Sequence, residues 1–254
     1  MARGIKNRPV LSFLGGFACF FIVWQIGAWL TGSEIILPGP LPVVKKLLEI
    51  VKTERFQRAL AASSARLLLG ILIAAPLGVL AGLAAALNRR MAAFLQPFFS
   101  VIAATPVMSV ILIAFLAFGS EKTPIFTVFL MVFPVMAANT TAGVKAIPSD
   151  LVELFKVYNL DGMEKLRFLY IPAVMPFLTA GLQSALSLGW KAAVAAEVLV
   201  QPLSALGTGM QMAKAQLETP ELFAWTAATV TAAALSGLLF DGINLSISRK
   251  KRRC

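Results

Sequence analysis

A chain of 254 residues with a mean hydropathy of +0.81 and only 14% charged side chains falls outside soluble globular composition and inside that of helical membrane proteins. The excess of 23 Lys and Arg over 12 Asp and Glu is not gathered into a face, which argues against nucleic acid. His is absent, which removes the commonest general base and metal ligand, and Cys19 and Cys254 are placed too differently to suggest a disulfide or a zinc pattern.

A hydrocarbon core about 30 Å thick needs about 20 apolar residues per helix. On that rule the chain should cross six times, near residues 10–31, 59–86, 91–118, 124–146, 172–199 and 222–247. Barrel strands would be shorter and alternate in polarity, so the fold class expected is an all-α integral membrane protein forming one domain over 1–254. The first apolar run is too long for a cleavable signal core and reads as a retained anchor. Between the first two spans, residues 38–58 read as a surface helix with Val43, Val44, Leu47, Leu48 and Val51 as its apolar stripe. An even number of spans puts both termini on one side. Fourteen Lys and Arg then share that side against seven opposite, so the termini should be cytoplasmic.

Small residues recur at packing spacing, Ala74, Gly78 and Gly82 in the second span and Gly181, Ala185 and Gly189 in the fifth, which predicts close helix crossings. Thr105, Asn139, Thr140, Gln183 and Ser187 are the mid-span polar side chains expected to line a pathway. Charges at membrane depth usually mark function or buried pairing. Lys191 and Glu197, six residues apart in the fifth span, are therefore expected at a pathway or gate, with an interhelical ion pair the alternative for Glu197. Arg66 and Asp241 lie near span ends, where they could snorkel to the interface.

Between the fourth and fifth spans lies a dense polar elbow, residues 150–166. Asp150 with Glu153, and Asp161 with Glu164, have the spacing of two helix N-terminal capping boxes, and Asn159 sits where the first helix should stop. Two short helices joined by a tight turn would suit docking to a soluble cytoplasmic partner.

Glu153, then Asn159 six residues on, then Leu169, Ile171 and Pro172, is similar to the pattern E-A-A, three residues, G, nine residues, I-x-L-P. That pattern is the cytoplasmic loop of bacterial ABC importer permeases. Leu154 and Phe155 replace the Ala pair and Asn159 replaces the Gly. Leu37-Pro-Gly-Pro-Leu-Pro42, Ser64-Ala-Arg66-Leu-Leu-Leu-Gly70, Trp190 to Glu197 and Leu206-Gly-Thr-Gly209 resemble the nitrate, sulfonate and taurine branch, whose relatives also carry pyrimidine precursors.

The resemblance implies a type I permease fold in a bacterial inner membrane and a homodimer. It also implies two ABC ATPase subunits and an extracytoplasmic solute-binding protein. Glu153, Leu154, Phe155, Asn159, Asp161, Gly162 and Pro172 would then couple the ATPase to the spans. No G-x-x-x-x-G-K-[ST] loop is present, so ATP and Mg are expected on the partner ATPase, and this chain is expected to bind no cofactor and to be no enzyme. The alternatives are a secondary transporter or channel, which would show inverted repeats and a midplane carboxylate pair, and an intramembrane enzyme, for which no catalytic constellation is seen.

Overall fold

The computed structural model describes residues 8–158 and 161–251. These residues form α1 (Arg8–Thr31), α2 (Pro40–Ile50), α3 (Glu54–Leu87), α4 (Arg89–Ala104), α5 (Val107–Lys145), α6 (Ser149–Val157) and α7 (Gly162–Lys165). A π-helical turn (Leu166–Tyr170), α8 (Ile171–Val200), α9 (Leu206–Ala215) and α10 (Thr219–Lys251) follow. Among the described residues five segments are long and apolar enough to cross a membrane: Leu14–Thr31, Glu54–Leu87, Val107–Lys145, Gly162–Val200 and Thr219–Ser246.

Four of these coincide with expected spans, and the runs expected at 91–118 and 124–146 fall on α4 and α5, with an added break at Pro106. Pro106 has no amide proton to donate, and the chain breaks there between α4 and α5. Gly119 then interrupts α5 with φ 73° and ψ 177°, a conformation open to glycine and strained for other residues. Phe118 packs on Phe126 with ring centroids 5.1 Å apart, and Phe99 of α4 packs on Phe133 at 5.6 Å. In a straight helix residues 118 and 126 would be about 12 Å apart along the axis. These pairings are instead those of an antiparallel hairpin that turns near residues 119–122.

The chain packs as two compact units. One contains residues 8–57 and 209–228. Here Gly39 and Pro40 start α2, the proline at a first-turn position that needs no amide partner. The stripe expected on this helix is split: Val43 is buried and Leu47 half-buried, whereas Val44, Leu48 and Val51 are exposed. The packed side also carries Lys46, whose Nζ lies 3.5 Å from the Glu221 carboxylate. Trp24 donates from Nε1 to the Pro38 carbonyl (3.0 Å) and stacks on Phe223. Arg55 lies over the Trp225 ring, 5.6 Å from its centroid. A methyl on Gly209 would come within 2.6 Å of that ring, so glycine is required there.

The second unit contains residues 58–208 and 229–251, and its centre is the crossing of α3, α5 and α8. A Cβ added to Gly78 would meet Met136 Cβ at 2.6 Å, and one on Gly70 would meet Val128 at the same distance. Gly181 abuts Asn139 and Gly189 abuts Leu67, while Ala74, Ala185 and Val128 are wholly buried. Backbones this close let many weak dispersion contacts form where lipid offers no hydrophobic drive between helices. Thr140, expected on a pathway, is instead buried here, its hydroxyl donating to the Met136 carbonyl at 2.8 Å. Bonding back four residues satisfies the hydroxyl inside its own helix.

Candidate functional site

Two features stand at opposite ends of the helix that follows Gly119. From residue 121 to residue 145 is about 36 Å of helix axis at 1.5 Å per residue.

At the Lys145 end is the polar elbow. Among the described residues Asp150 and Glu153 do not exchange the expected capping bonds. Instead α6 opens at Ser149, with the Leu151 and Val152 amides donating to the Pro148 carbonyl (3.1 and 3.3 Å) and Ser149 Oγ donating to Asp150 (3.2 Å). Pro148 supplies the first helical carbonyl acceptor, so Asp150 falls within the first turn rather than at the cap. The second box forms as expected. Glu164 donates its amide to Asp161 Oδ1 (2.6 Å), and Asp161 donates its own to Glu164 Oε2 (3.0 Å), just ahead of Gly162. Asn159 lies outside the described residues.

Glu153 is exposed and Phe155 half-buried. Leu154, expected at the coupling surface, belongs to an exposed apolar line along α6 and the turn after it, where Leu151, Leu154, Val157 and Tyr158 are 43, 47, 82 and 70% exposed. Their spacing of three and four puts them along one side of the helix, a signal legible from the residues alone. Met163 and Phe168 add further exposed apolar surface on the next turns. The π turn joins this elbow to α8. Pro172, exposed and at the start of α8, has no amide for the Phe168 carbonyl, and the Ile171 amide reaches back five residues to Leu166. Leu169 and Val174 are buried and pin the turn.

At the other end is a charge cluster in which Arg66 and Glu197 are buried and Glu121 is exposed. Glu197 is wholly buried in α8 and accepts from Arg66 Nη1 (3.2 Å), Ser63 Oγ (2.8 Å) and the Gly207 amide (3.2 Å). Arg66 also donates to the Ser204 carbonyl (2.9 Å) and to Glu121 (2.5 Å). Glu121 accepts from the Leu203 amide (2.9 Å), and Ser63 Oγ accepts from the Leu206 amide (3.0 Å). The loop at 201–205 begins with Gln201 in the left-handed conformation, and Thr208 Oγ1 holds the Pro202 carbonyl at 2.7 Å. Five pieces of chain are thereby tied to one guanidinium and two carboxylates.

So Arg66 does not snorkel, and Glu197 takes the ion-paired alternative rather than facing open space. Burying charge singly costs several kcal/mol, which explains why each group here has several partners. Ser63 and Glu121 were not foreseen. Ser63 stands three residues before Arg66, on the same face of α3, which is the one hint the sequence offers.

Lys191 is exposed on α8, as are Gln183, Ser184 and Ser187. Gln183 Nε2 donates to Asp241 of α10 at 3.2 Å. Higher up, Trp190 Nε1 donates to Ser236 (3.0 Å), so α8 and α10 run antiparallel side by side.

Long apolar helices closely packed at glycines define a membrane-embedded protein of several crossings. The sequence profile of the binding-protein-dependent transport system inner membrane components matches residues 74–253. The chain belongs to this family, as a permease of an ABC importer and a multi-pass protein of the bacterial inner membrane. It is 30% identical over 216 residues to the bicarbonate transport system permease protein CmpB of Synechococcus elongatus, covering 80% of this chain and 76% of that one. The taurine transport system permease protein TauC of Escherichia coli is 29% identical over 225 residues (86% and 82% of the two chains). The nitrate import permease protein NrtB of Synechococcus elongatus is 28% identical over 205 (76% and 73%).

Proposed function

We propose that this chain is the membrane half of an ATP-driven importer whose elbow, residues 149–170, docks on a separate ABC ATPase subunit and passes its motion to α8. ATP and Mg are bound there, and ATP is hydrolysed there, not here. The observation that carries this reading is the exposed apolar line of α6, because surface of this kind on a short helix marks a partner. The π turn then serves as the joint: it ties the docked helix to α8 by a buried leucine rather than by a slack loop. Closure of two ATPase subunits would rock the spans between two access states as rigid bodies.

In this reading α4 together with α5 up to Gly119 makes one crossing and the remainder of α5 another. Six crossings follow, with both termini and the elbow in the cytoplasm and the Arg66 cluster at the extracytoplasmic end. The chain acts as one permease domain, and a second copy completes the pathway. An extracytoplasmic binding protein delivers the solute. Bicarbonate, taurine and nitrate, for which the relatives are named, are small solutes bearing negatively charged oxygens. A solute of that class is proposed here.

Changing Leu154→Asp together with Tyr158→Ala should cut recovery of the ATPase with the purified chain at least about tenfold, since losing anchors of this kind costs about 2 kcal/mol or more each. Membrane insertion and melting should be unchanged, because both side chains are exposed. Normal recovery of the ATPase, or labelling of the elbow from outside the cell, would overturn the assignment.

A further inference from the structure

Resting on the importer reading, we propose that one face of α8, built from Gln183, Ser187 and Lys191, is the wall of a hydrated path, and that Lys191 biases that path toward anions. The helix has two unlike sides. Val174, Gly181, Ala185, Gly189, Ala192, Ala193 and Ala196 are buried against the rest of the unit. Opposite them, Gln183, Ser187 and Lys191 recur every four residues and are exposed, so they share one stripe.

Depth decides what that stripe faces. Counting from Val200 at 1.5 Å per residue, Lys191 lies about 13 Å down the helix, Ser187 about 20 Å and Gln183 about 26 Å. A lysine can stretch toward an interface, and Gln183 stands within about 4 Å of the far edge of a 30 Å core, but the short Ser187 side chain, about 10 Å or more from either edge, cannot reach one. A lysine and a serine left side by side on the lipid surface of one helix would be costly, and ionisable residues at membrane depth face a cavity or the bundle interior as a rule. Among the described residues Lys191 has no carboxylate paired with it. Glu121 and Glu197 pair with Arg66, and Asp241 accepts from Gln183, two turns before the lysine along α8. Its charge is therefore free to act on a passing solute. One unscreened cation raises the local concentration of anions and lowers that of cations.

The test needs no knowledge of the solute. In the full chain with its ATPase, and with Cys19→Ser and Cys254→Ser to remove native thiols, Ser187→Cys is exposed to two small membrane-impermeant thiol reagents. One is a sulfonate and the other a quaternary ammonium. The expected result is labelling by both at least about tenfold faster than at Val23→Cys, an apolar exposed site on α1, with the sulfonate favoured. A charge one helical turn away acts with about 0.6 kcal/mol in water, and with opposite sign on the two reagents, so Lys191→Met should shrink the sulfonate preference about three- to tenfold. Lys191→Arg should retain it. Ser187→Cys refractory to both reagents, because lipid or a second copy covers the stripe, would overturn the path. An unchanged charge preference in Lys191→Met would overturn the role of the lysine. Recovery of the ATPase with the same variants reports separately on the importer assignment.

Discussion

Replacing Glu197 with alanine should destabilise the chain by about 3–5 kcal/mol, the range seen when one member of a buried ion pair is removed. The loss is more than one contact. Arg66 would keep Glu121 and the Ser204 carbonyl but lose the wholly buried carboxylate, while Ser63 and the Gly207 amide would lose their acceptor. Unpaired buried donors carry their full desolvation cost. Glu197→Gln keeps an acceptor and the shape, and should lose less. Arg66→Met combined with Glu197→Leu should recover part of the loss, because no charge is then left buried alone. Melting of the detergent-solubilised protein followed by size-exclusion chromatography reads all three variants. Equal melting of wild type and Glu197→Ala would show that the cluster does not hold this end of the molecule together.

The second large effect is expected at Gly82. A methyl group there would run into the Ala137 carbonyl oxygen and lie 2.7 Å from Thr140 Cβ. The obstacle is mostly backbone, so no side-chain rotation relieves it, and α3 and α5 must move apart. Gly82→Ala should cost about 1–3 kcal/mol, and Gly82→Val more, as overpacking does in cores without free volume. The counter-experiment is Gly237→Ala in α10, where an added Cβ meets nothing within 4 Å of this chain. Alanine is the better helix former there by about 0.8–1 kcal/mol, so that variant should melt no lower than wild type. If Gly82→Ala were as stable as Gly237→Ala, the close crossing of α3 and α5 would be wrong.

Local chemistry and pattern made much of this protein legible without a structure. Apolar runs of about 20 residues announce crossings because the bilayer core has a fixed thickness. Small residues four apart announce close crossings, and the Asp161–Glu164 box was readable because capping depends on neighbours three residues away. The elbow showed itself as polar residues between greasy runs, down to the register of Glu153 and Pro172.

What depended on distant partners could not be read that way. Arg66, Glu121 and Glu197 are separated by 55 to 131 positions along the chain, and only the packing of α3 beside α8 and the 119–122 turn makes them one cluster. Hydropathy placed a break between residues 118 and 124, but not the Gly119 backbone angle that makes it or the phenylalanines that then meet across it, which only the packing decides. Thr140 and Ser187 look alike in sequence, polar and mid-span. One is sealed in the core and the other exposed, and the side of a helix that neighbours cover is settled by the fold alone.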